Sequence, residues 1–367
     1  MQCGCSTVIW GGWTRDANAR IRACESRPTG MRAILIVRLG AMGDIVHAVP
    51  MAAALRARFG DAQIDWVVDE RHQDVLELVS VVDRRIVLRT RSASLWRRVT
   101  ELRRTLARES YDVAIDVQGL IKSAVVARLS GARRVLGFTP PFLRERGARV
   151  FYTETQDPGD TAHVIEKNLT LAASLGADVS QIQFPLSVPT SAALDALHAR
   201  HTAAGDPSFV VLNPGAAWPN KRWSPDRFGA VAQWLRREHG LHSVVTWGPG
   251  DETLAAAVVA GSAGAAERAP ATSIADLVAI IRDAVLMVSG DTGPMHLATA
   301  VGTPIVGIFG PTDATRNGPW AVDDVTVSRF GACACQRRRR CHVARWCLED
   351  VSIADVTGAI ARRLRAS

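Results

Sequence analysis

The chain has 367 residues, 47% of them apolar and 22% charged, with a mean hydropathy of +0.06, the profile of a folded globular protein and not of a fibrous or disordered one. At roughly 100–200 residues per domain, that length predicts two domains. The net charge of +8 and pI of about 9.6 favour anionic partners, and no run approaches the ~18 apolar residues of a membrane-spanning helix, which excludes an integral membrane protein of that kind.

Residues 1–30 read differently from everything after them. They carry Cys3, Cys5 and Cys24 and no sustained period, and Val8-Ile9-Trp10 is broken by Gly11-Gly12, too short for the apolar region of a secretory signal. The expectation is a disordered extension or an upstream-start artefact. Met31 then opens a strand over 33–37, and further strands are expected at 64–68, 86–88 and 113–116. Helical patterns at 47–59, 95–109 and 121–129 lie between them. Alternation of this kind predicts a parallel sheet covered on both faces.

A polar, Ala-rich stretch around 187–207 reads as a hinge, after which the same pattern restarts. Strands are expected at 209–213, 242–247, 285–289 and 305–309, with helices at 226–238, 252–259 and 274–282. An amphipathic helix over 353–364 closes the chain. The organisation predicted is α/β: two Rossmann-like domains at 31–187 and 207–350, a closing segment at 351–367, and a cleft between the carboxyl ends of the two sets of strands.

Four motifs fall at such strand ends. Arg38-Leu39-Gly40-Ala41-Met42-Gly43-Asp44 follows the first strand. It lacks the third glycine of a dinucleotide fingerprint, which argues against an NAD-dependent oxidoreductase, and the Gly-Lys-Ser/Thr of a P-loop. It presents the carboxylate of Asp44 either as a helix cap or as a base for a sugar hydroxyl. Asn213-Pro214-Gly215 through Lys221-Arg222-Trp223 offers cations for phosphate and tryptophans for a ring. Ser289-Gly290-Asp291-Thr292-Gly293-Pro294-Met295-His296 places helix N–H groups where a diphosphate could sit. Gly307-Ile308-Phe309-Gly310-Pro311-Thr312-Asp313 ends another strand on the same edge.

Only three of the 44 basic residues are lysines, Lys122, Lys167 and Lys221, and each retained lysine either marks a place needing a compact charge on a flexible stem or survives by chance. Cys333, Cys335, Cys341 and Cys347 cluster late in the chain. Their spacing differs from a metal knuckle, and the interleaved Arg337-Arg338-Arg339-Arg340 would repel a cation, so structural thiols are expected first and a zinc or redox site second. The arginine run itself reads first as a solvated face and second as an anion or membrane-surface contact.

In this order and spacing, Met42-Gly43-Asp44, Lys221-Arg222-Trp223, Asp291-Thr292-Gly293-Pro294-Met295-His296 and Phe309-Gly310-Pro311-Thr312-Asp313 resemble the ADP-heptose:lipopolysaccharide heptosyltransferases, glycosyltransferase family 9, from about Met31 to the closing helix. Trp66-Val67-Val68-Asp69-Glu70 and Asp116-Val117-Gln118-Gly119-Leu120-Ile121-Lys122-Ser123 are similar to the type I enzymes. The resemblance implies a GT-B fold and an inverting, metal-independent transfer of heptose from ADP-heptose, with no cofactor. It implies Asp44 as catalytic base. Lys221, Asp291, Thr292, Gly293, Met295, His296 and Gly310 would lie on the donor. Gly43, Gln118, Lys122 and His163 would lie on a Kdo-lipid A acceptor, with Arg144 and Arg146 as further contacts. It also implies a cytoplasmic protein docked on the anionic inner face of the inner membrane, with no nucleic-acid partner. A heptosyltransferase II, or a related transferase using another nucleotide sugar, is the alternative.

Overall fold

The computed structural model describes residues 30–89, 95–203, 205 and 208–366. The expectation for the first thirty residues therefore lies outside the described residues, Gly30 excepted.

The first half of the chain runs β1 (Ala33–Val37), α1 (Met42–Val46), α2 (Val49–Arg58), β2 (Gln63–Asp69), α3 (Gln73–Glu77), β3 (Arg84–Leu88), α4 (Leu95–Leu106), β4 (Val113–Asp116), α5 (Ile121–Leu129), β5 (Arg134–Phe138), β6 (Glu154–Gln156) and α6 (Val164–Ala173). The second runs α7 (Ala192–Ala203), β7 (Phe209–Asn213), α8 (Pro225–His239), β8 (His242–Val245), α9 (Glu252–Ala260), β9 (Ala266–Arg268), α10 (Ile274–Asp283), β10 (Leu286–Gly290), α11 (Gly293–Val301), β11 (Ile305–Phe309), α12 (Ala314–Asn317), β12 (Val325–Ser328) and α13 (Ile353–Arg365).

Each half builds a six-stranded parallel sheet, ordered β3-β2-β1-β4-β5-β6 and β12-β11-β10-β7-β8-β9. The first has the doubly wound order 3-2-1-4-5-6, and the second, counted within its own half and read from its other edge, repeats it. The α/β, two-sheet architecture expected from the alternation is present. Every residue of β1, β7, β10 and β11 is buried, as helices on both faces require. Ile36 stands in register between Trp66 and Ile115 at the centre of the first core.

The helix expected over 47–59 is two helices. α1 starts ahead of that span, at Met42, and the chain breaks at His47-Ala48 before α2 begins. Pro50 has no N–H for the carbonyl of Val46, yet in the first turn of α2 that missing donor costs nothing. The earlier start carries Asp44 into the first turn of a helix.

The stretch expected as a linker contains α7. Upstream of it, Ser80 N–H donates to the Pro185 carbonyl (3.0 Å) and Val79 bridges Leu186, both on the first half. Downstream, Ser191 Oγ donates to Asp276 Oδ1 (2.6 Å) and Leu197 is buried, which seats α7 on the second half. The closing helix α13 is capped by Ser352, whose Oγ accepts from Asp355 N–H (3.1 Å), and it buries Val356, Ala359 and Ile360 against β11, β12 and α8. The two halves meet where α1 packs on α11 and α3 on α10. Among the described residues no helix is long and apolar enough to cross a membrane.

Ile36 is fully buried. Ile36→Ala is expected to cost about 2–5 kcal/mol by leaving a cavity between β2 and β4. The check is a lowered urea midpoint with an unchanged denaturant slope.

Candidate active site

The site grows from the two strand ends that face each other. Beyond β1 the chain turns at Arg38–Ala41 into α1, which presents Asp44. Asp44 Oδ2 accepts from Arg38 Nη2 (2.6 Å), Arg144 Nη2 (3.1 Å) and the Ala41 N–H (3.2 Å). Arg38 is buried and anchored by Nη1 to the Val117 carbonyl (2.9 Å), whereas Arg144 comes from the half-exposed loop after β5. Burial alone would raise the Asp44 pKa. Arg38 and Arg144 outweigh it and hold the carboxyl well below the ordinary carboxylate range.

Across from it, β10 ends beside Asp291 and α11 begins. Asp291 Oδ2 accepts from Lys221 Nζ (2.6 Å), and Oδ1 lies 3.3 Å from His296 Nε2. Here too burial works to raise the pKa and is outweighed, by His296 and Lys221, so Asp291 is held ionised. Lys221 Nζ sits 4.5 Å from the centre of the Trp218 ring. The Thr292 hydroxyl is fixed by Asn213 Nδ2 and Ser289 Oγ, each at 3.1 Å. Gly293 and Pro294 open α11, and Met295 is buried beneath its first turn. The first N–H groups of such a helix have no partner inside it, which leaves them for an anion.

The two walls touch through glycines. A Cβ on Gly43 would stand 2.2 Å from His296 Cδ2, and one on Gly293 would stand 2.5 Å from Met42 Sδ. Around this contact rings from both halves meet edge to face: His47 lies 4.2 Å from His296 and 5.7 Å from His163, and His163 lies 5.0 Å from Trp320. His163 Nδ1 accepts from the Ile165 N–H (3.2 Å), so Nε2 carries the proton and donates to the Gly318 carbonyl (3.1 Å). Burial lowers the pKa of both His47 and His163, with His296 adding to the shift.

The structure thus brings together Asp44, Lys221, Asp291, Thr292, Gly293, Met295 and His296. Four positions expected on ligand are engaged otherwise. The space at Gly43 is filled by His296, and both ring nitrogens of His163 are spent on α6 and Gly318, making it a strut between the halves. A Cβ on Gly310 would meet Leu348 and Cys347 Sγ at 2.8 and 3.0 Å, so its small size serves packing. Gln118 Oε1 accepts from the Leu39 N–H (2.9 Å) and supports the β1 turn. Lys122 is half exposed with Nζ 3.9 Å from Asp69 Oδ2, and Arg146 is exposed.

Sequence reasoning gave no role to Arg38, His47 or Arg316, although Arg38 and His47 flank the Asp44 motif. Arg316, in α12, adds positive potential at both Asp44 and Asp291. The one signal for Arg38 was a charged residue directly continuing an apolar strand. Of the four late cysteines, all free thiols, Cys333 and Cys335 are buried, and burial pushes the Cys347 thiol up to about 12. The arginine run between them is exposed as expected, but Arg339 lies over Trp218 (5.7 Å), on the same ring as Lys221.

The buried histidines set an acid limit. The folded chain holds His47 and His163 neutral below the ~6.5 at which they protonate when unfolded. The unfolded state then binds more protons, so stability falls as pH drops through that value, by up to about 1.4 kcal/mol per pH unit and group. Asp44 and Asp291 contribute in the same direction only below about pH 4. Thermal melts between about pH 7.5 and 5.5, spanning the unfolded histidine value, should show a falling Tm, and His47→Gln should flatten the slope.

Comparison with known proteins agrees with this geometry. A family model described as glycosyltransferase family 9 (heptosyltransferase) matches residues 99–346, more than half of the chain and parts of both sheets. Lipopolysaccharide heptosyltransferase 1 of Pseudomonas aeruginosa is 28% identical over 320 residues, covering 84% of this chain and 87% of that protein. The enzyme of the same name from Salmonella typhimurium is 30% identical over 294 residues, covering 76% and 89%. The structure of an Escherichia coli heptosyltransferase with ADP superposes with a TM-score of 0.70 at 23% identity, covering 91% of this chain and all of the other. The doubled Rossmann-like sheets are those of a GT-B glycosyltransferase, and the chain belongs to glycosyltransferase family 9, the heptosyltransferases.

Proposed function

We propose that the protein moves L-glycero-D-manno-heptose from ADP-heptose to the Kdo region of the lipopolysaccharide inner core, as a type I heptosyltransferase, with inversion at the anomeric carbon and without a metal ion. One observation supports the reading: packing of Met42 and Gly43 on Gly293 and His296 brings the helix that carries Asp44 against the first turn of α11, where a diphosphate could sit.

In this mechanism the diphosphate of the donor lies on the first turn of α11 and draws Lys221 from Asp291. Asp291 and His296 shape the donor pocket. An acceptor hydroxyl, delivered from the first half, attacks the anomeric carbon on the face opposite ADP while Asp44 takes its proton. The C–O bond to the diphosphate breaks, and the charge growing there meets Lys221, Arg316 and the α11 N–H groups. Those groups supply the stabilisation a metal would otherwise provide.

The ion pairs of Asp44 bear on its chemistry. A carboxylate held by two arginines is a weak base. Arg144 is half exposed and its loop lies at the surface, so an anionic acceptor group can draw it off and raise the proton affinity of Asp44 as the hydroxyl arrives. Arg38 is buried and stays, keeping the carboxylate ionised beforehand. A basic exterior also favours docking on an anionic cytoplasmic leaflet.

Asp44→Ala is expected to lower transfer by about 10²–10⁴-fold while ADP-heptose affinity stays near that of the parent protein. Turnover that barely changes would make Asp44 a helix cap. Lys221→Ala should weaken ADP-heptose binding by about tenfold or more in calorimetry, the scale of a charged hydrogen bond of about 1.5–3 kcal/mol. Unchanged affinity would remove Lys221 from the diphosphate. Mass analysis of product from ADP-heptose and Kdo2-lipid A tests the substrates, and a panel of ADP-, GDP- and UDP-sugars separates the alternative donors.

A further inference from the structure

A second cluster of chemistry-bearing side chains lies at the opposite end of the second sheet. His242 and Phe209 are the first residues of β8 and β7, so this edge is at the amino ends of the strands, away from the cleft. His201 reaches it from the last turn of α7, and Glu267 from β9. One ligand atom from each of His201, His242 and Glu267 lies within 4.8 Å of the other two.

The details go beyond a simple ion pair. His201 is 4% exposed, with Nε2 2.6 Å from Glu267 Oε1, and its Nδ1 is buried with no hydrogen-bond partner among the described residues. The rings of His201 and His242 meet edge to face at 5.2 Å, so a second imidazole adjoins the pair. Glu267 Oε2 is taken by Arg200 Nε (3.2 Å) and Nη2 (3.1 Å), which fixes the carboxylate and leaves Oε1 toward the histidines. Phe209, edge-on to His201 at 5.5 Å, forms an apolar wall.

We propose that His201, His242 and Glu267 form a binding site for one divalent transition-metal ion, zinc being the best match. Two imidazoles and one carboxylate oxygen are borderline ligands suited to tetrahedral zinc with water in the fourth position. Bonds of about 2.0–2.2 Å place tetrahedral ligands roughly 3.3–3.5 Å apart, so the three need to shift by only about an ångström. Binding uses the lone pair of one nitrogen of each ring, and the proton between His201 and Glu267 is released or moves to Nδ1. The ion would clamp α7, which arrives from the first half, to β8 and β9. Its place outside the cleft makes it structural, separate from the transfer chemistry proposed above.

The test uses the full-length protein after treatment with a chelator. Calorimetric titration with Zn²⁺ should show one saturable site, accompanied by a rise in Tm. Titration with Co²⁺ should give weak visible d–d bands without an intense near-ultraviolet thiolate band. His242→Ala, which keeps the His201–Glu267 pair, should weaken Zn²⁺ binding by about 10–100-fold with the apo far-ultraviolet spectrum unchanged. If that variant does not fold, Glu267→Gln replaces it. Absence of saturable binding would leave a plain ion pair. A strong thiolate band, or binding unaffected by the substitution, would place the ion on Cys333, Cys335, Cys341 and Cys347. Each of those results overturns the proposal.

Discussion

The approach of α1 to α11 governs the rest of this molecule. Gly43 lets His296 reach the α1 backbone, and Gly293 lets Met42 reach the α11 backbone. A methyl group at either position would occupy space already filled by the opposing side chain, so the separation of the two sheets is set by two missing Cβ atoms. Asp44 follows Gly43 directly, and Thr292 directly precedes Gly293. One of the contacts that join the halves is therefore the same contact that brings a carboxylate to the start of α11. His47, His163, His296 and Trp320 surround it, and the bond from His163 to the Gly318 carbonyl adds a polar tie across the halves.

The electrostatics on the two walls are parallel. Each presents a carboxylate that burial would tend to neutralise and that neighbouring groups keep ionised: Arg38 and Arg144 for Asp44, His296 and Lys221 for Asp291. Arg316 stands within the field of both. The two carboxylates are matched by more cations than they need, Arg38, Arg144, Lys221 and Arg316, so the local balance at the contact is positive. Arg38, Arg144 and Lys221 are each paired with a carboxylate. Exposure then separates their behaviour, since buried Arg38 is anchored by a backbone carbonyl and half-exposed Arg144 belongs to a loop.

Much of the scaffold was legible because the central strands are short, fully buried and β-branched, and covered parallel strands read as apolar runs. β1, β4, β7 and β11 match their expected spans, and the other expected strands differ by only a residue or two at their ends. The missed strands β6, β9 and β12 are short edge strands with few buried residues, and such pieces carry no apolar run to detect. β5 was missed as well, because Gly137 interrupts its apolar run; that glycine makes room for the Tyr152 ring. α7 was read as a hinge because its alanines and polar residues lack a strong apolar stripe, and its place depends on partners such as Asp276 and Glu267 far along the chain.

From sequence alone came the doubled α/β plan and the motifs at the strand ends, because strand and helix periodicity are local and ligand turns follow the strands. That order was enough to single out Asp44, Lys221 and the Asp291–His296 segment. Only the folded chain decided which groups meet. It set Arg38 and Arg144 on Asp44, turned Gly43 and His163 toward the opposite half, and gathered His201, His242 and Glu267 at the far edge of the second sheet. Most of these pairings join residues far apart along the chain, and such distances are closed by packing, on which no local pattern bears.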